Sequence, residues 1–285
     1  MDTAANQEQI RYWNEQGGPR WVLMQQRLDA HIQPLGLVAL QRAEAKPGER
    51  VVDVGCGCGQ SSLELAERVG PNGSVLGIDI SHPMLNRARE RQQGLGCANL
   101  EFVQADAQTH QFTHEQFDLV FSRFGVMFFE NPTAAFRNLC TALQSNGRLT
   151  FLCWQALEKN DWARVPLKAA LQHVQPPAPP APGAPGPFAF ADPGRVRQIL
   201  EAAGFTAVHC ESHEAELNMG GATTVDEAVE FSLEIGPVAR LLADNPAGTR
   251  TRVAQSIREA LTPYAGSEGV RLPGAVWVVR ARRQD

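Results

Sequence analysis

The sequence predicts an α/β protein: a doubly wound, mostly parallel seven-stranded sheet with N-terminal helices and a helical cap inserted before the last strand. Short apolar runs alternate with segments of helical spacing between Val51 and Leu152, the pattern of βα units in a parallel sheet. The first run leads into a glycine-rich turn, and the second ends in the carboxylate Asp79. Such features indicate a ligand-binding crevice at the carboxyl ends of the strands.

Composition limits the function classes. The chain has 285 residues, enough for one large domain or one domain with a sizeable insertion. Its net charge of −5 argues against the basic surface of a nucleic-acid binder. We find no apolar run of transmembrane length and no signal-peptide pattern at the N-terminus. We therefore expect a soluble cytoplasmic protein that binds neither nucleic acid nor membrane; its oligomeric state is open, with a homodimer as one option.

Residues before the glycine turn predict helices. Apolar residues recur at helical spacing from Ile10 to Leu40, and we take 1–46 as a helical segment that covers the active site. Tyr12, Trp13 and Trp21 flank a Gly-Gly-Pro break in this segment. Two interpretations stay open: the rings pack on the sheet edge, or they close over a ligand.

The glycine turn follows the first strand, Val51–Val54, which Asp53 interrupts. Alternate glycines in Gly55–Gly59 let the backbone adopt positive φ and approach a ligand closely. The following helix N-terminus offers free N–H groups. A dinucleotide fingerprint would need a third glycine where Gln60 stands, and no Gly-Lys-Ser/Thr follows to make a P-loop.

Polar or aromatic residues follow the next four strands. Asp79 ends the second strand, where a carboxylate can accept hydrogen bonds from both hydroxyls of a ribose. Asp106 follows the third strand, Ser122 and Arg123 the fourth, and Trp154 the fifth. Because parallel strands end at the same edge, we expect these side chains to converge.

The acidic first strand, the G-x-G-x-G turn and the acidic second strand end resemble the class I S-adenosylmethionine (SAM)-dependent methyltransferases. The ubiquinone/menaquinone-biosynthesis type is the nearest match, over roughly Glu49 to Val208. The resemblance implies a Rossmann-like fold, SAM as cofactor, and Asp106 against the adenine amino group. The expected cofactor-binding residues are Asp53, Gly55, Cys56, Gly57, Gly59, Asp79, Ile80, Met84, Asp106, Ala107, Ser122 and Trp21.

The function implied is methyl transfer to O, N or C of a small, partly apolar or aromatic metabolite by in-line displacement. Alignment alone can supply roughly 7–11 kcal/mol of such a barrier, so a dedicated base is needed only when the acceptor must lose a proton. We expect Arg123 and Trp154 to position the reactants, with Arg123 gripping a carboxylate or pairing with an acid such as Glu130. The expected substrate contacts are Tyr12, Trp13, Phe124, Met127 and Phe188.

Two alternatives stay open. A protein of this fold can bind SAM without transferring its methyl group, and the absence of an obvious base keeps that option. An RNA or protein methyltransferase is the other, against which the acidic balance argues. We expect each of the seven histidines to be a surface or structural residue rather than a catalyst.

The remaining chain completes the predicted domain organisation. Residues 47–222 form the SAM-binding α/β domain with a Pro-rich loop at 176–187, residues 223–266 the helical cap, and residues 267–285 the final edge strand. The six cysteines lack the C-x-x-C spacing of a metal site, so we expect no bound metal. We expect Cys56 and Cys58 to serve as small side chains beside the cofactor.

Overall fold

The computed structural model describes residues 6–176, 181, 183–243 and 245–284. The predicted Pro-rich loop at 176–187 therefore lies partly outside the described residues. Within the described ranges, no helix is both long and apolar enough to cross a bilayer.

The sheet confirms the predicted fold class. Its strand order is β3-β2-β1-β4-β5-β8-β6; the first five strands are parallel, and β8 is antiparallel to both of its neighbours. The strand order reverses between β1 and β4, which opens a crevice at their carboxyl ends. The strands are β1 (Arg50–Val54), β2 (Ser74–Asp79), β3 (Leu100–Gln104), β4 (Phe117–Arg123), β5 (Leu143–Trp154), β6 (Phe205–Asn218), β7 (Ala265–Gly266) and β8 (Gly269–Arg283).

The helices alternate with the strands along the chain. They are α1 (Gln7–Glu15), α2 (Gly17–Leu23), α3 (Gln25–Ala43), α4 (Gln60–Val69), α5 (His82–Leu95), α6 (Pro132–Ala142), α7 (Asp161–Ala170), α8 (Pro193–Ala202), α9 (Val225–Glu234), α10 (Gly236–Leu241) and α11 (Ala247–Leu261). The prediction that the chain before the glycine turn is helical is correct, with Gln16 in non-helical geometry between α1 and α2.

Helix α3 brings the N-terminal segment onto the sheet. Leu28, Ile32, Leu35 and Leu40 lie at helical spacing and are fully or almost fully buried. They pack with residues of β5, β6 and β8 in one apolar core. The polar side chains of the same helix that point toward the strand ends are thereby fixed above the crevice.

Helices α9, α10 and α11 lie between β6 and β8, where the sequence predicted an inserted helical cap. A capping box starts α9, since Thr224 Oγ1 accepts from the Glu227 N–H and the Glu227 side chain accepts from the Thr224 N–H. The predicted final segment 267–285 contains β8, but the prediction that it is the edge strand is wrong, because β6 lies beyond β8 in the sheet. Pro273 is tolerated there because β5 pairs with β8 only from Val276 onward, so no second neighbour requires its missing N–H.

Candidate functional site

A cavity lies at the carboxyl ends of β1, β2, β4 and β5, beneath α1–α3 and α10. Its empty volume is about 1650 Å³, counting the solvent at its open mouth. The predicted site residues in its wall are Tyr12, Trp13, Trp21, Gly55, Cys56, Gly57, Asp79, Ile80, Met84, Asp106, Ala107, Arg123, Phe124, Met127 and Trp154.

The glycine turn forms the floor of one end. Gly55 and Gly57 have φ of 65° and 56°, which L side chains rarely adopt. A Cβ at Gly55 would lie 2.6 Å from the Gly125 Cα, and one at Gly57 would lie 2.8 Å from the Met84 Cε. The backbone of this turn is therefore exposed to the cavity because no side chain intervenes.

Two cysteines alternate with these glycines and are buried in the cavity wall. Burial raises the pKa of the Cys58 thiol to about 12 and that of Cys56 well above its usual value. Both side chains are thus neutral and unreactive at neutral pH. Among the described residues, no group of three or more His, Cys, Asp or Glu side chains is arranged to hold a metal ion.

Asp79 is fixed beside the turn by two backbone donors. Its Oδ2 accepts from the Gly57 N–H at 2.8 Å, and its Oδ1 accepts from the Ser81 N–H at 2.8 Å. Burial raises the pKa of this carboxyl above its ordinary value. Each carboxylate oxygen keeps acceptor capacity, so the group can receive two further hydrogen bonds from a ligand.

Asp106 lies farther along the same wall and meets the N-terminal segment. Its Oδ1 accepts from the Gln108 N–H at 2.9 Å, and its Oδ2 accepts from Asn6 Nδ2 at 2.7 Å. Asn6 and Glu130 also exchange two hydrogen bonds of 2.7 Å. Sequence reasoning missed Asn6, which adopts a left-handed conformation that asparagine tolerates better than most residues.

The structure leaves four predicted site residues outside the cavity wall. Asp53 is fully buried, and its Oδ2 accepts from Ser61 Oγ at 2.7 Å and Ser62 Oγ at 2.6 Å. Ser122 Oγ donates to the Val54 carbonyl at 2.7 Å. Asp53 thus joins β1 to the start of α4, and Ser122 joins the end of β4 to the end of β1.

The other two residues outside the wall are Gly59 and Phe188. Gly59 caps α4 with φ of 82°, and a Cβ there would lie 2.9 Å from the Phe102 ring. Its role is close packing between the turn, α5 and β3. Phe188 is half-buried against the apolar core in the turn before α8, and its neighbour Pro187 is the residue that reaches the cavity.

Arg123 faces the cavity but pairs with an acid that differs from the sequence expectation. Its Nη2 lies 2.9 Å from Asp29 Oδ1, whereas Glu130 bonds with Asn6. Arg91 Nη1 lies 3.4 Å from the other Asp29 oxygen. Asp29 is the nearer partner because α3 crosses the end of β4.

Aromatic rings form another part of the cavity wall. Phe124 and Trp154 stack with ring centroids 4.4 Å apart, and Trp162 lies 4.8 Å from Trp154. All three side chains are buried. Trp162, on α7, was not among the predicted site residues. This cluster presents a flat apolar surface to a ligand.

The N-terminal aromatics cover the mouth. Trp13 packs edge-on against Trp21 at 5.9 Å and against Phe128 at 5.2 Å. The guanidinium of Arg240, on α10, lies 5.0 Å from the Tyr12 ring centroid. The inserted helices therefore contact the N-terminal segment directly above the cavity.

His31 is the site residue that sequence reasoning treated as a structural helix residue. It is 1% exposed, and its Nδ1 lies 2.8 Å from the Asn218 carbonyl oxygen. Its Nε2 is buried without a hydrogen-bond partner among the described residues, and the ring contributes to the cavity wall. Burial lowers its pKa to about 4. Its helical spacing from Leu28 and Leu35 was the available signal that it faces inward.

The fold and the cavity define a nucleoside-binding α/β protein with a second, aromatic compartment. Residues 45–204 match the family model described as a methyltransferase domain, and the chain belongs to that family. The predicted family resemblance is confirmed.

Two individual relatives are also named as methyltransferases. Aklanonic acid methyltransferase DauC of Streptomyces sp. (strain C5) is 36% identical over 118 residues, 41% of this chain and 54% of that protein. The ubiquinone/menaquinone biosynthesis C-methyltransferase UbiE of Ectopseudomonas mendocina is 36% identical over 114 residues, 40% of this chain and 44% of that protein. The chain thus spans about half the length of these curated relatives. The YcgJ protein of Bacillus subtilis shares the fold, with a TM-score of 0.58 at 16% identity over 90% of this chain and 100% of that one.

Proposed function

We propose that this chain is a SAM-dependent methyltransferase that acts on O, N or C of a small, partly aromatic or apolar metabolite. The observation that carries the proposal is one continuous cavity with a polar and an aromatic part. Its wall contains the carboxylates of Asp79 and Asp106 with the bare glycine backbone, and it also contains the stacked rings of Phe124 and Trp154. The family supports the reaction type, and the names of the two relatives support a small-molecule acceptor.

The residues of the polar end fit SAM. Asp79 offers two carboxylate oxygens for the ribose hydroxyls, Asp106 offers an acceptor for the adenine amino group, and Gly55 and Gly57 give room for close approach. Bound SAM supplies a methyl group on a sulfonium, which is an excellent leaving group. The turn stays rigid because Asp53 and its two serine donors brace it from below.

The aromatic end fits the methyl acceptor. The rings of Trp154, Phe124 and Trp162 exclude water and hold a flat molecule in one orientation. Arg123 acts in this proposal as a positioning residue, since its ion pair with Asp29 fixes α3 over the strand ends. Orientation of this kind is the main catalytic contribution that a methyl transfer requires.

The N-terminal helices and the inserted helices form the cover of the cavity in this proposal. The proposal includes the predicted division of the chain into 1–46, 47–222, 223–266 and 267–285. It also includes the predicted cytoplasmic location. Tyr12 and Arg240 join the two covering segments. Exclusion of nucleic acid and membrane as partners follows from the charge and composition of the chain.

Two measurements test the function. Calorimetry with S-adenosylhomocysteine should show binding to the wild-type protein, and SAM with a labelled methyl group should label a product in a small-metabolite extract. No binding of S-adenosylhomocysteine would overturn the proposal. Tight binding without label in any product would replace it with the alternative that the cofactor is used without methyl transfer.

A further inference from the structure

We propose that His31 accepts the proton of a phenolic or enolic hydroxyl on the methyl acceptor, so that hydroxyl-bearing, flat apolar molecules are the substrate class. This inference rests on the proposed function and narrows its acceptor. It assigns a chemical role to an imidazole that neither the motif pattern nor the helix propensity of α3 singled out.

The tautomer of His31 is set by its backbone partner. The Asn218 carbonyl, 2.8 Å from Nδ1, can only accept a hydrogen bond, so Nδ1 carries the ring proton. The lone pair of the neutral ring is therefore on Nε2. This atom is buried, has no donor within hydrogen-bond distance among the described residues, and belongs to a ring in the cavity wall.

A buried polar atom without a hydrogen-bond partner destabilises the folded state. Nothing in the packing around His31 requires a histidine in order to fill space, since Trp162 and Phe231 approach its ring at 5.0 Å and 5.1 Å with apolar edges. A donor supplied by the acceptor molecule would satisfy Nε2. In this proposal Nε2 is the acceptor for an O–H group that reaches the His31 ring at the cavity wall.

The groups around the imidazole keep it neutral. Asp29, two residues before His31 on α3, is paired with Arg123 and Arg91. Glu234, at the end of α9, is paired with Arg20 and Arg250. Among the described residues, the contacts that β6 and α7 make with the His31 ring are the hydrogen bond to the Asn218 carbonyl and the edge of the Trp162 ring. Burial lowers its pKa to about 4, so the free base is the form present at neutral pH.

The proton transfer balances in atoms and charge. The O–H bond of the acceptor breaks and its electron pair stays on oxygen, while the Nε2 lone pair forms a new N–H bond. The imidazole gains one positive charge as the methyl donor loses one, so the net charge of the cavity is unchanged. A weak base is sufficient, because a hydroxyl oxygen that is acquiring a methyl group becomes strongly acidic.

Two substitutions at His31 distinguish a role as a base from a structural role. His31→Asn keeps a donor near the Nδ1 position for the Asn218 carbonyl but has no group at the Nε2 position. His31→Gln places an amide oxygen near the Nε2 position, which can accept a hydrogen bond without taking a proton. His173→Asn is the matched control, because His173 bonds with Ser256 outside the cavity wall.

The experiment uses S-adenosylhomocysteine affinity, the affinity of 1-naphthol for the S-adenosylhomocysteine-bound protein, and labelled methyl transfer to a panel of phenols, enols and amines. We expect His31→Asn to bind S-adenosylhomocysteine within twofold of wild type. We expect it to bind 1-naphthol at least tenfold more weakly and to lose a factor of about 10² to 10⁴ in kcat on ordinary phenols. His31→Gln should recover the 1-naphthol affinity but not kcat.

A second readout varies the acidity of the acceptor. The loss of kcat in His31→Asn should be smaller for 4-nitrophenol, which is already partly ionised near neutral pH and therefore depends less on a base. An equal deficit for acidic and ordinary phenols, or an unchanged kcat, would overturn the inference. A wild-type protein that methylates amines but no hydroxyl would also overturn the inference. The proposed function would still hold in that case. Failure of the wild type to bind S-adenosylhomocysteine, or to label any acceptor, overturns both.

Discussion

Arg123, at the end of β4, and Asp29, on α3, form an ion pair with 2.9 Å between Nη2 and Oδ1. Both side chains are largely shielded from solvent, and both belong to the cavity wall. The pair joins the N-terminal helices to the parallel sheet at the point where the two compartments of the cavity meet. His31 lies two residues further along α3, so its position depends on this contact.

Removing one partner of this pair should destabilise the protein. Asp29→Asn leaves Arg123 and Arg91 without their shared carboxylate, and we expect a loss of about 1–3 kcal/mol in the free energy of unfolding. Urea denaturation measures it. Glu230→Gln is the control, since Glu230 is 73% exposed and lies 3.8 Å from Arg27, and it should change stability by less than about 0.5 kcal/mol. Equal losses in the free energy of unfolding for the two variants would mean that the buried pair contributes no more to stability than the exposed one.

Asp79 should carry much of the affinity for the nucleoside. Asp79→Asn keeps the shape of the side chain but replaces one acceptor oxygen by a donor and removes the charge. We expect S-adenosylhomocysteine to bind roughly 10- to 100-fold more weakly in calorimetry, as for the loss of a charge-assisted hydrogen bond. Glu101→Gln, an exposed substitution on the neighbouring strand β3, should leave the affinity unchanged. Wild-type affinity in Asp79→Asn would exclude the ribose assignment.

The turn should tolerate no side chain at Gly55. Gly55→Ala combines a positive φ of 65° with a Cβ placed 2.6 Å from the Gly125 Cα, so backbone must move. Gly96→Ala is the matched control, with φ of 67° and nothing within 4 Å of the added Cβ. We expect the control to lose only the conformational cost, about 1–2 kcal/mol. Gly55→Ala should lose more stability and also the S-adenosylhomocysteine affinity. Identical thermal shifts in the two variants would show that contact with Gly125 is unimportant.

Asp53 should make the stability of the ligand-free protein depend on pH. Burial raises its pKa to about 6 from 3.8, so the folded state binds the proton more tightly than the unfolded state does. The contribution of Asp53 to the free energy of unfolding is largest below pH 4. It falls as the pH rises toward 6 and is constant at higher pH. The loss is about 3 kcal/mol, since one pH unit corresponds to about 1.4 kcal/mol.

The measurement compares urea unfolding of wild type and Asp53→Asn between pH 4 and pH 7. The variant should lack this part of the pH dependence, so its stability relative to wild type should rise with pH. The stability of the exposed control variant Glu67→Gln should change with pH in the same way as that of wild type. A constant difference between wild type and Asp53→Asn over this range would show that the carboxyl has an ordinary pKa.

The local parts of the site were predictable from sequence, and the long-range parts were not. The glycine turn and Asp79 follow from residues adjacent in the chain, because a strand, a turn and a helix start fix their geometry. The partner of Arg123 was not predictable, since Asp29 is distant in sequence and depends on how α3 crosses β4. Asp53 illustrates another limit. The sequence pattern located the strand that carries Asp53 but did not show which side chains of that strand face the cavity.

His31 shows the same limit for catalytic candidates. Its place on the buried face of α3 was readable from helical spacing, but burial alone does not distinguish a packed ring from a ligand-facing one. The distinction came from the Asn218 carbonyl, contributed by β6, and from the unsatisfied Nε2. Both are properties of the tertiary structure.

A crystal structure with bound S-adenosylhomocysteine tests the central assignment most directly. We expect the ribose hydroxyls within hydrogen-bond distance of the Asp79 carboxylate and the adenine amino group beside Asp106, with the sulfur directed toward the aromatic end of the cavity. Density for the ligand elsewhere on the protein, or none in crystals soaked at saturating concentration, would contradict the account.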